Sequence, residues 1–401
     1  MKRFLVRNCL WLLVFSMLLG YGCFSASAEG VVPILEEQKE LSDLGVLEGS
    51  LNLNCQSAIL MEATTGCVLY MQNPDEALPP ASVTKIMTLL LVMEAVDSGK
   101  LKMTDIVTTS ANAASMGGSQ VFLKEGEQMP LVDMLKSVVI ASANDAAVAL
   151  AEHLCGSVES FVARMNEKAK MLGMENTKFE NVTGLDDTAQ NHLTSAKDIA
   201  IMSRELIKHK TILEYSSIWM DTIRNGEFGL TNTNRLVRFY PGCTGLKTGS
   251  TSKAGFCISV TAQRDGFSLI CVIMGAESRD VRNAAATTLL DWGFANYGLY
   301  TSPSGEANPV PVKGGVENAC GTSYDSFSCV LPKEKIKDVE RKIELSEFFL
   351  APIQKGDVVG SVVYLSDGAE VGRGEIVASE TIDKMDFFDI LKRMLAAFLL
   401  I

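Results

Sequence analysis

The alternation of apolar and polar residues predicts strands near the start of the chain and helices after them. Two alternating runs around a Thr-Thr-Gly turn predict strands at Ser57–Glu62 and 67–71. Helical spacing then begins at Pro79-Pro80 and ends near Gly99, which fits proline at helix starts and glycine after helix ends. Four further segments have helical spacing, at 131–140, 145–154, 158–172 and 195–208.

Strand character returns from about Leu246. Residues 255–262 and 267–275 flank Asp265-Gly266, which is a typical hairpin turn. A helix predicted at 284–297 closes this part of the chain. Since strands lie at both ends with helices between them, we expect one sheet built from distant pieces and packed with helices. That arrangement is an α+β domain, which we assign to residues 53–300.

A smaller all-β domain is predicted at 301–379. Prolines are frequent at its start, and alternating stretches follow at 336–345 and 358–365, the second ending at Asp367-Gly368. The tail at 380–401 places five apolar residues on one helical face: Phe387, Leu391, Met394, Leu395 and Phe398. Because charges occupy its first half, the tail suits a helix lying in a membrane surface better than a membrane span. A helix packed on its own protein or on a partner is the alternative.

Residues 1–28 have the features of a secretory signal peptide. Three cationic residues precede an apolar run and a small-residue cleavage sequence, and we expect cleavage between Ala28 and Glu29. Lipidation at Cys23 is the alternative. An acidic linker is predicted at 29–52. The sequence therefore predicts an exported protein, attached peripherally to the outer face of the cytoplasmic membrane.

Composition excludes several classes of partner and site. Removing residues 1–28 changes the formal net charge from −12 to −15, which argues against nucleic acid as a partner. The chain has 3 histidines, none in a His-Glu-x-x-His frame, so a zinc peptidase is not expected and no metal or cofactor is predicted. Most cysteines lie in apolar runs and are expected to be buried thiols. A disulfide remains the alternative, with Cys320 to Cys329 as the candidate local bridge.

Three short motifs carry the candidate chemistry, and they occur in the order Ser82-Val83-Thr84-Lys85, Ser142-Ala143-Asn144 and Lys247-Thr248-Gly249. Each motif is weak alone. Ser250-Thr251-Ser252-Lys253 repeats the first pattern, and Ser110-Ala111-Asn112 and Ser50-Leu51-Asn52 repeat the second. The structural context must therefore choose among them.

That context favours Ser82 as the nucleophile and Lys85 as its base. Both lie in the first turns of a predicted helix, where residues three apart share a face. Ser250 and Lys253 instead enter a predicted strand, where odd spacing sends side chains to opposite faces. Lys85 can accept the serine proton only when it is neutral, and burial or the nearby charge of Lys247 would lower its pKa.

The other motifs supply binding and proton transfer. Ser142 can pass a proton to the leaving amine, and Asn144 can bind the substrate amide, although both residue types also cap helices and turns. Gly249 lets a peptide approach the sheet edge. Lys247, Thr248 and Arg282 are candidates for binding a terminal carboxylate. For Arg282 the alternative is an exposed arginine at a helix start.

The chain resembles the low-molecular-mass, penicillin-binding family of serine-type D-alanyl-D-alanine carboxypeptidases with an added C-terminal β domain. The resemblance extends beyond the three motifs to segments listed here: Pro80-Ala81-Ser82-Val83-Thr84-Lys85-Ile86-Met87-Thr88, Asn144-Asp145-Ala146-Ala147, Met165-Asn166, Leu172-Gly173-Met174, Gly245-Leu246-Lys247-Thr248-Gly249 and Ala254-Gly255-Phe256. Two residues depart from the family pattern, since Ala143 replaces a commoner glycine and Ser250 stands where some members have histidine.

The resemblance implies a β-lactamase/transpeptidase-like catalytic domain that forms an acyl-enzyme on Ser82 and removes the terminal D-alanine from the pentapeptide stem of peptidoglycan. It also implies a second oxyanion N–H from Ser250, acylation by β-lactam antibiotics and peripheral attachment by the C-terminal helix. His192 matches a family segment with a structural role. The rival functions are a transpeptidase or endopeptidase acting on crosslinks, a β-lactamase and a non-enzymatic scaffold. After Phe179, however, no glutamate is suitably placed to activate a deacylating water.

Overall fold

The computed structural model describes residues 51–186 and 189–399. The predicted signal peptide, its cleavage site after Ala28 and all but the last two residues of the predicted linker lie outside the described residues. The described helices are α1 (Lys85–Asp97), α2 (Ala111–Ala114), α3 (Leu131–Ala141), α4 (Asn144–Cys155), α5 (Val158–Met171), α6 (Ala196–Leu206), α7 (Lys210–Ser216), α8 (Leu236–Phe239), α9 (Arg279–Asn296) and α10 (Phe387–Leu399). Short 3₁₀ turns occur at Ala81–Thr84, Arg224–Gly226 and Ile336–Asp338.

The described strands of the first part of the chain are β1 (Ser57–Glu62), β2 (Val68–Gln72), β3 (Ile106–Thr108), β4 (Gln128–Pro130), β5 (Met220–Ile223), β6 (Phe228–Thr231), β7 (Cys243–Thr251), β8 (Gly255–Arg264) and β9 (Phe267–Ala276). Those of the second part are β10 (Tyr297–Ser302), β11 (Gly305–Lys313), β12 (Ala319–Tyr324), β13 (Phe327–Pro332), β14 (Val339–Leu345), β15 (Phe349–Leu350), β16 (Val358–Ser366) and β17 (Ala369–Ala378).

A five-stranded antiparallel sheet, in the order β2-β1-β9-β8-β7, separates two apolar layers. Because side chains of a strand alternate between faces, β9 contributes to both layers. Ile270, Val272 and Met274 pack with α1, whereas Cys271 and Ile273 pack with α9. Strand β7 is at the edge of this sheet, so it pairs with another described strand on one side alone. The predicted α+β fold class is confirmed.

Helix α1 runs through the middle of the helical layer. Of its 13 residues, 10 are buried, which is typical of a helix that is apolar all round. Lys85, its first residue, is thereby held in the interior. Among the described residues no single helix is long and apolar enough to cross a membrane, although α4 and α5 pass that composition test as a pair bent by 85°.

The second part of the chain is all β, as predicted. Its main sheet has six strands in the order β14-β16-β17-β12-β11-β15, and β10 pairs with β13. The predicted hairpin turn at Asp367-Gly368 joins β16 to β17, with both residues at positive φ. Strand β10 runs through the boundary predicted between residues 300 and 301. Cys320 and Cys329 are separate thiols, so the candidate bridge between them does not form.

Helix α9 begins five residues before the predicted start at residue 284. Ser278 caps it, because the side chain accepts a hydrogen bond from Val281 N–H at 3.2 Å. The interpretation of Arg282 as an exposed helix-start residue is wrong, since its side chain is 2% exposed. Periodicity failed here because the capping serine precedes a turn that is rich in charged residues.

Helix α10 turns its apolar side chains away from the rest of the described structure. The five residues predicted on one face are all exposed, from 42% for Leu391 to 86% for Phe398. On another side of the helix, Arg393 donates hydrogen bonds to Asn318 Oδ1 at 2.8 Å and to the Val316 carbonyl. The alternative in which the apolar face packs on its own protein is therefore not what the described residues show.

Candidate active site

Ser82 and Lys85 lie where the 3₁₀ turn Ala81–Thr84 passes into α1. Residues three apart in such a turn lie on the same side. Lys85 Nζ accordingly donates hydrogen bonds to Ser82 Oγ at 2.9 Å and to the Thr183 carbonyl at 2.8 Å. Ser82 opens onto a cleft of about 610 Å³, whereas Lys85 is fully buried.

The environment of Lys85 disfavours its charged form. Burial is the main cause that lowers the pKa of Lys85 well below its usual value, and the charge of Lys247 lowers it further, while Asp145 acts in the opposite direction. An ammonium group loses its hydration when it is buried, so the neutral amine is favoured. The group beside the Ser82 hydroxyl is therefore suited to accept a proton.

A hydrogen-bond chain holds the turn that carries Ser82. His192 Nδ1 accepts from Glu180 N–H at 2.9 Å, so Nε2 carries the ring hydrogen and bonds to Thr84 Oγ1 at 2.7 Å. Thr84 Oγ1 in turn donates to the Ala81 carbonyl at 2.8 Å. Burial lowers the pKa of His192 to about 4, which keeps the ring neutral. His192 does not line the cleft, so its contacts are structural.

The segment 181–184 is a part of the site that sequence reasoning missed. Asn181 Oδ1 accepts from the N–H groups of Thr183 and Gly184, at 3.1 and 2.7 Å, and this turn aims the Thr183 carbonyl at Lys85. Gly184 has φ +80°, and a Cβ there would lie 1.8 Å from the Ala81 carbonyl oxygen. The available signal was the Asn-x-x-Gly spacing, which is typical of a turn but does not reveal what the turn contacts.

Ser142 links the helical layer to the sheet. It ends α3 in the left-handed region, at φ 61° and ψ 30°. This conformation presents its hydroxyl to Lys247 Nζ, which donates to Ser142 Oγ at 2.8 Å and to the Thr248 carbonyl at 2.9 Å. Burial, with a smaller contribution from the charge of Arg282, lowers the pKa of Lys247 to about 7. Ser142 and Thr248 line the same cleft as Ser82.

Asn144 begins α4 and is 1% exposed. Its Nδ2 donates to the Gly117 carbonyl at 2.7 Å, which anchors the loop above the cleft. Its Oδ1 is shielded from solvent and has no hydrogen-bond partner among the described residues. Asn144 itself does not line the cleft, and its amide oxygen is the atom of this side chain that is left without a partner.

Strand β7 carries Lys247, Thr248, Gly249 and Ser250 past the turn of Ser82. A Cβ on Gly249 would lie 2.8 Å from Ser82 N, so glycine is needed for this approach. The sequence predicted that a substrate backbone would come close here, and the close neighbour that the structure shows is the chain's own nucleophile turn. Thr248, Gly249 and Ser250 all line the cleft.

Arg282 reaches the cleft from α9. It donates to the Cys257 carbonyl at 3.3 Å and to Asn283 Oδ1 at 2.8 Å. Burial, followed by the charge of Arg279, lowers the pKa of Arg282 to about 10, so the guanidinium remains charged at neutral pH. The predicted site residues thus come together from four separate segments of the chain.

The rival second motif has a capping role. Ser110 accepts a hydrogen bond from Ala113 N–H as the cap of α2, and its hydroxyl donates to Glu152 at 2.6 Å. Asn112 bonds to the same carboxylate at 2.8 Å. The first two residues of the other rival, Ser50-Leu51-Asn52, straddle the start of the described residues.

Glu180, the glutamate that follows Phe179, is not placed as a β-lactamase would require. The Glu180 carboxylate accepts from the N–H groups of Gln190 and Asn191, at 2.9 and 3.2 Å, and does not line the cleft. Within residues 51–186 and 189–399, no group of three or more His, Cys, Asp or Glu residues is arranged to hold a metal ion.

Comparisons with known proteins show which family the chain is similar to. Residues 46–278 match the family model described as D-alanyl-D-alanine carboxypeptidase, and residues 306–384 match the C-terminal domain of penicillin-binding protein 5. The chain is 44% identical over 347 residues to D-alanyl-D-alanine carboxypeptidase DacF of Bacillus subtilis (strain 168), covering 84% of this chain and 88% of the relative.

Solved structures show the same likeness. Penicillin-binding protein 5 from Haemophilus influenzae aligns with a TM-score of 0.75 at 32% identity, over 83% of this chain and 98% of that one. Penicillin-binding protein D2 from Listeria monocytogenes, in its ampicillin bound form, aligns with a TM-score of 0.57 at 32% identity, over 61% of this chain and 99% of that one.

Proposed function

The chain belongs to the D-alanyl-D-alanine carboxypeptidase family, and we propose that it works through an acyl-enzyme on Ser82. It is a serine-type D-Ala-D-Ala carboxypeptidase, and the proposed substrate is the pentapeptide stem of peptidoglycan. One observation carries the proposal: Lys85 Nζ, fully buried, lies 2.9 Å from Ser82 Oγ.

In the acylation step Lys85 acts as the general base. Its neutral amine takes the proton of Ser82 as Oγ attacks the carbonyl carbon of the penultimate D-alanine. The N–H groups of Ser82 and Ser250 stabilise the oxyanion that forms. The close approach of Gly249 to Ser82 N supports this pairing, because Ser250 directly follows Gly249 in β7.

The tetrahedral intermediate then loses the terminal D-alanine. The C–N bond breaks, and Ser142 passes a proton to the leaving amine. The hydrogen bond from Lys247 Nζ to Ser142 Oγ supports this route. Water hydrolyses the Ser82 ester in a second round, with Lys85 again as the base.

Substrate binding is assigned to the strand edge and to three cationic or hydroxyl groups. Lys247, Thr248 and Arg282 bind the terminal carboxylate, for which charge-assisted hydrogen bonds are strong. Asn144 Oδ1 accepts a peptide N–H, and the open edge of β7 at Gly249 pairs with the peptide backbone. The unpartnered Oδ1 and the edge position of β7 support these roles.

The same serine is proposed to react with β-lactams. Penicillin acylates Ser82 and leaves slowly, because none of the described residues that line the cleft has a carboxylate to activate the deacylating water. Trimming of stem peptides would make the enzyme part of peptidoglycan biosynthesis and remodelling.

The proposed location is the outer face of the cytoplasmic membrane. After export, α10 lies in the membrane surface with its exposed apolar face buried in lipid. The exposure of its five apolar side chains supports this attachment. Co-sedimentation of the full chain with vesicles tests it: Leu391→Asp with Leu395→Asp is expected to abolish binding, and Asp389→Asn is the control. Retained binding by the double variant would overturn the attachment.

The activity is tested with a synthetic pentapeptide that ends in D-Ala-D-Ala. Released D-alanine is measured for the native protein, and mass spectrometry locates the adduct formed with penicillin. We expect both the D-alanine and a penicilloyl group on Ser82. Release of D-alanine without any adduct at Ser82 would contradict the proposed nucleophile.

A further inference from the structure

The cleft continues beyond Thr248, on the side where the leaving residue must lie. Thr248 Oγ1 bonds to Thr233 Oγ1 at 2.9 Å, so the loop after β6 forms that wall. From Thr233 the lining continues to Arg235, Trp219 and Phe239. A leaving D-alanine has only a methyl group and one carboxylate, and it would leave this end of the cleft unfilled.

This end of the cleft is strongly cationic. Arg235, Arg279 and Arg282 line it. The charges of Arg279 and Arg235 both help to lower the pKa of Arg282, after its burial, so both guanidinium groups lie within electrostatic reach of Arg282. The clustering is not a consequence of overall charge, since the chain carries a net charge of −12.

Among the residues that the structure describes, Arg235 and Arg279 have no acidic partner of their own. Neither forms an ion pair within 4.0 Å in the part of the chain that the structure describes. Asp280, in the same turn of α9 as Arg279, opposes the shift of Arg282 but does not line the cleft. Both arginines are exposed, so an incoming anion can reach them.

An aromatic surface lies next to these charges. The rings of Trp219 and Phe239 meet edge to face, with centroids 6.2 Å apart. Arg238 lies 5.5 Å from each ring centroid but does not line the cleft. An aliphatic side chain can therefore rest on the two rings while its charged end faces Arg235 and Arg279.

We propose that Arg235 and Arg279 form a second carboxylate subsite that selects acidic D-amino acids as leaving residues. This inference rests on the proposed function and deepens it. The α-carboxylate of the leaving residue binds at Thr248 and Arg282, and its side-chain carboxylate binds at the subsite. The reaction is the same acyl transfer: the amide C–N bond breaks, the amine of the acidic residue leaves with one proton, and water later cleaves the Ser82 ester.

Three peptides that differ only in the last residue test the subsite. They end in D-Ala-D-Ala, D-Ala-D-Glu and D-Ala-D-Gln, and kcat/KM is measured for each with the full chain. D-Gln has the shape of D-Glu without its charge, so the ratio of the two values isolates the charge. We expect kcat/KM for the D-Glu peptide to exceed that for the D-Gln peptide by roughly tenfold, which is the effect of one charge-assisted contact. The ratio should fall at high salt because salt screens the charges.

Matched variants assign the preference to named residues. Arg235→Gln with Arg279→Gln is expected to bring the D-Glu to D-Gln ratio to about one. Arg264→Gln removes an arginine that lies over Tyr240 and Phe294 and does not line the cleft, and it should keep the native ratio. Labelling of Ser82 by penicillin verifies that each variant is folded.

The outcomes separate this inference from the proposed function. A native protein that releases D-alanine but treats D-Glu and D-Gln alike would overturn the subsite and leave the carboxypeptidase mechanism intact. A double variant that keeps the native preference would also overturn it. Failure to release D-alanine from the D-Ala-D-Ala peptide would instead contradict the proposed function.

Discussion

Two segments of this chain share the spacing Ser-x-x-Lys, and they meet opposite environments in the fold. Ser82 and Lys85 sit where a 3₁₀ turn enters the buried helix α1, and Lys85 donates a hydrogen bond to Ser82. Ser250 lies near the C-terminal end of β7. Lys253 lies in the turn after β7, where its side chain is exposed and donates a hydrogen bond to the Asp186 carbonyl.

The difference shows that the Ser-x-x-Lys spacing places the two side chains together only in a suitable local backbone structure. A helical turn brings residues three apart together, whereas a strand that runs into a turn does not. Burial then removes water from Lys85 and lowers its pKa, and Lys247 adds a second charge nearby. The side chain of Lys253, by contrast, is exposed to solvent. Burial and backbone geometry therefore make Lys85 suitable as a base, whereas the Ser-x-x-Lys spacing alone does not.

The largest expected effect comes from replacing each of the two serines with alanine. Ser82→Ala should lower kcat/KM for the D-Ala-D-Ala peptide by at least about 10³-fold and abolish the penicillin adduct, because it removes the hydroxyl that is paired with Lys85, the base of the proposed acylation. Ser250→Ala keeps the backbone N–H and should cost less than about tenfold. The comparison would be reversed if Ser250→Ala were inactive and Ser82→Ala were not.

Replacing Lys85 or Lys253 with arginine should give the next largest difference in activity. Lys85→Arg puts a group that stays protonated beside Ser82, so it cannot act as a base, and we expect kcat to fall by about 10²- to 10⁴-fold. Lys253→Arg keeps an exposed cation and should leave kcat within a factor of two. Rates of penicillin acylation, followed by mass spectrometry, measure both. Equal losses in the two variants would break the distinction between the segments.

The second lysine of the site should be visible in the pH dependence. Burial lowers the pKa of Lys247 to about 7, so its charge is present below that pH and lost above it. Since the charged form binds the terminal carboxylate, kcat/KM should fall on the alkaline side, mainly through a rise in KM. Lys247→Arg keeps the charge, and its profile should lack this fall, at a lower overall rate. An unchanged alkaline limb in Lys247→Arg would assign the titration to another group.

The strands of the five-stranded sheet and the long helices could be predicted from sequence because each depends on local periodicity. Strand β1 is found at its predicted bounds, and α3 differs from its prediction by one residue. Short elements such as α2 and α8 have four residues each and carry too few apolar positions to show a period. Helix α9 was missed at its start because a capping serine, not apolar spacing, sets it.

Parts of the site could not be predicted because they depend on contacts between distant segments. The partner of Lys85 outside its own motif is the Thr183 carbonyl, 98 residues away, and a backbone carbonyl has no signature in sequence. The burial of Arg282 follows from how α9 packs on the sheet, which residue type alone does not reveal. Side chains of the site were predictable, whereas the backbone groups that orient them were not.

The smallest expected effect comes from removing His192. This residue holds the turn of the first Ser-x-x-Lys segment through a hydrogen bond. His192 bonds to Thr84 at 2.7 Å and thereby fixes the turn of Ser82, although it does not line the cleft. His192→Ala would leave the buried Thr84 hydroxyl without that partner, and we expect about a tenfold fall in kcat with KM little changed, along with a loss of about 1–2 kcal/mol in the free energy of unfolding.

His192→Gln, whose amide can replace Nε2–H, should recover part of kcat. His153→Ala, an exposed histidine on α4, should change neither quantity. A stability loss without a fall in kcat would mean that His192 supports the fold only, and the nucleophile turn would then hold its geometry through the backbone and Gly184 alone.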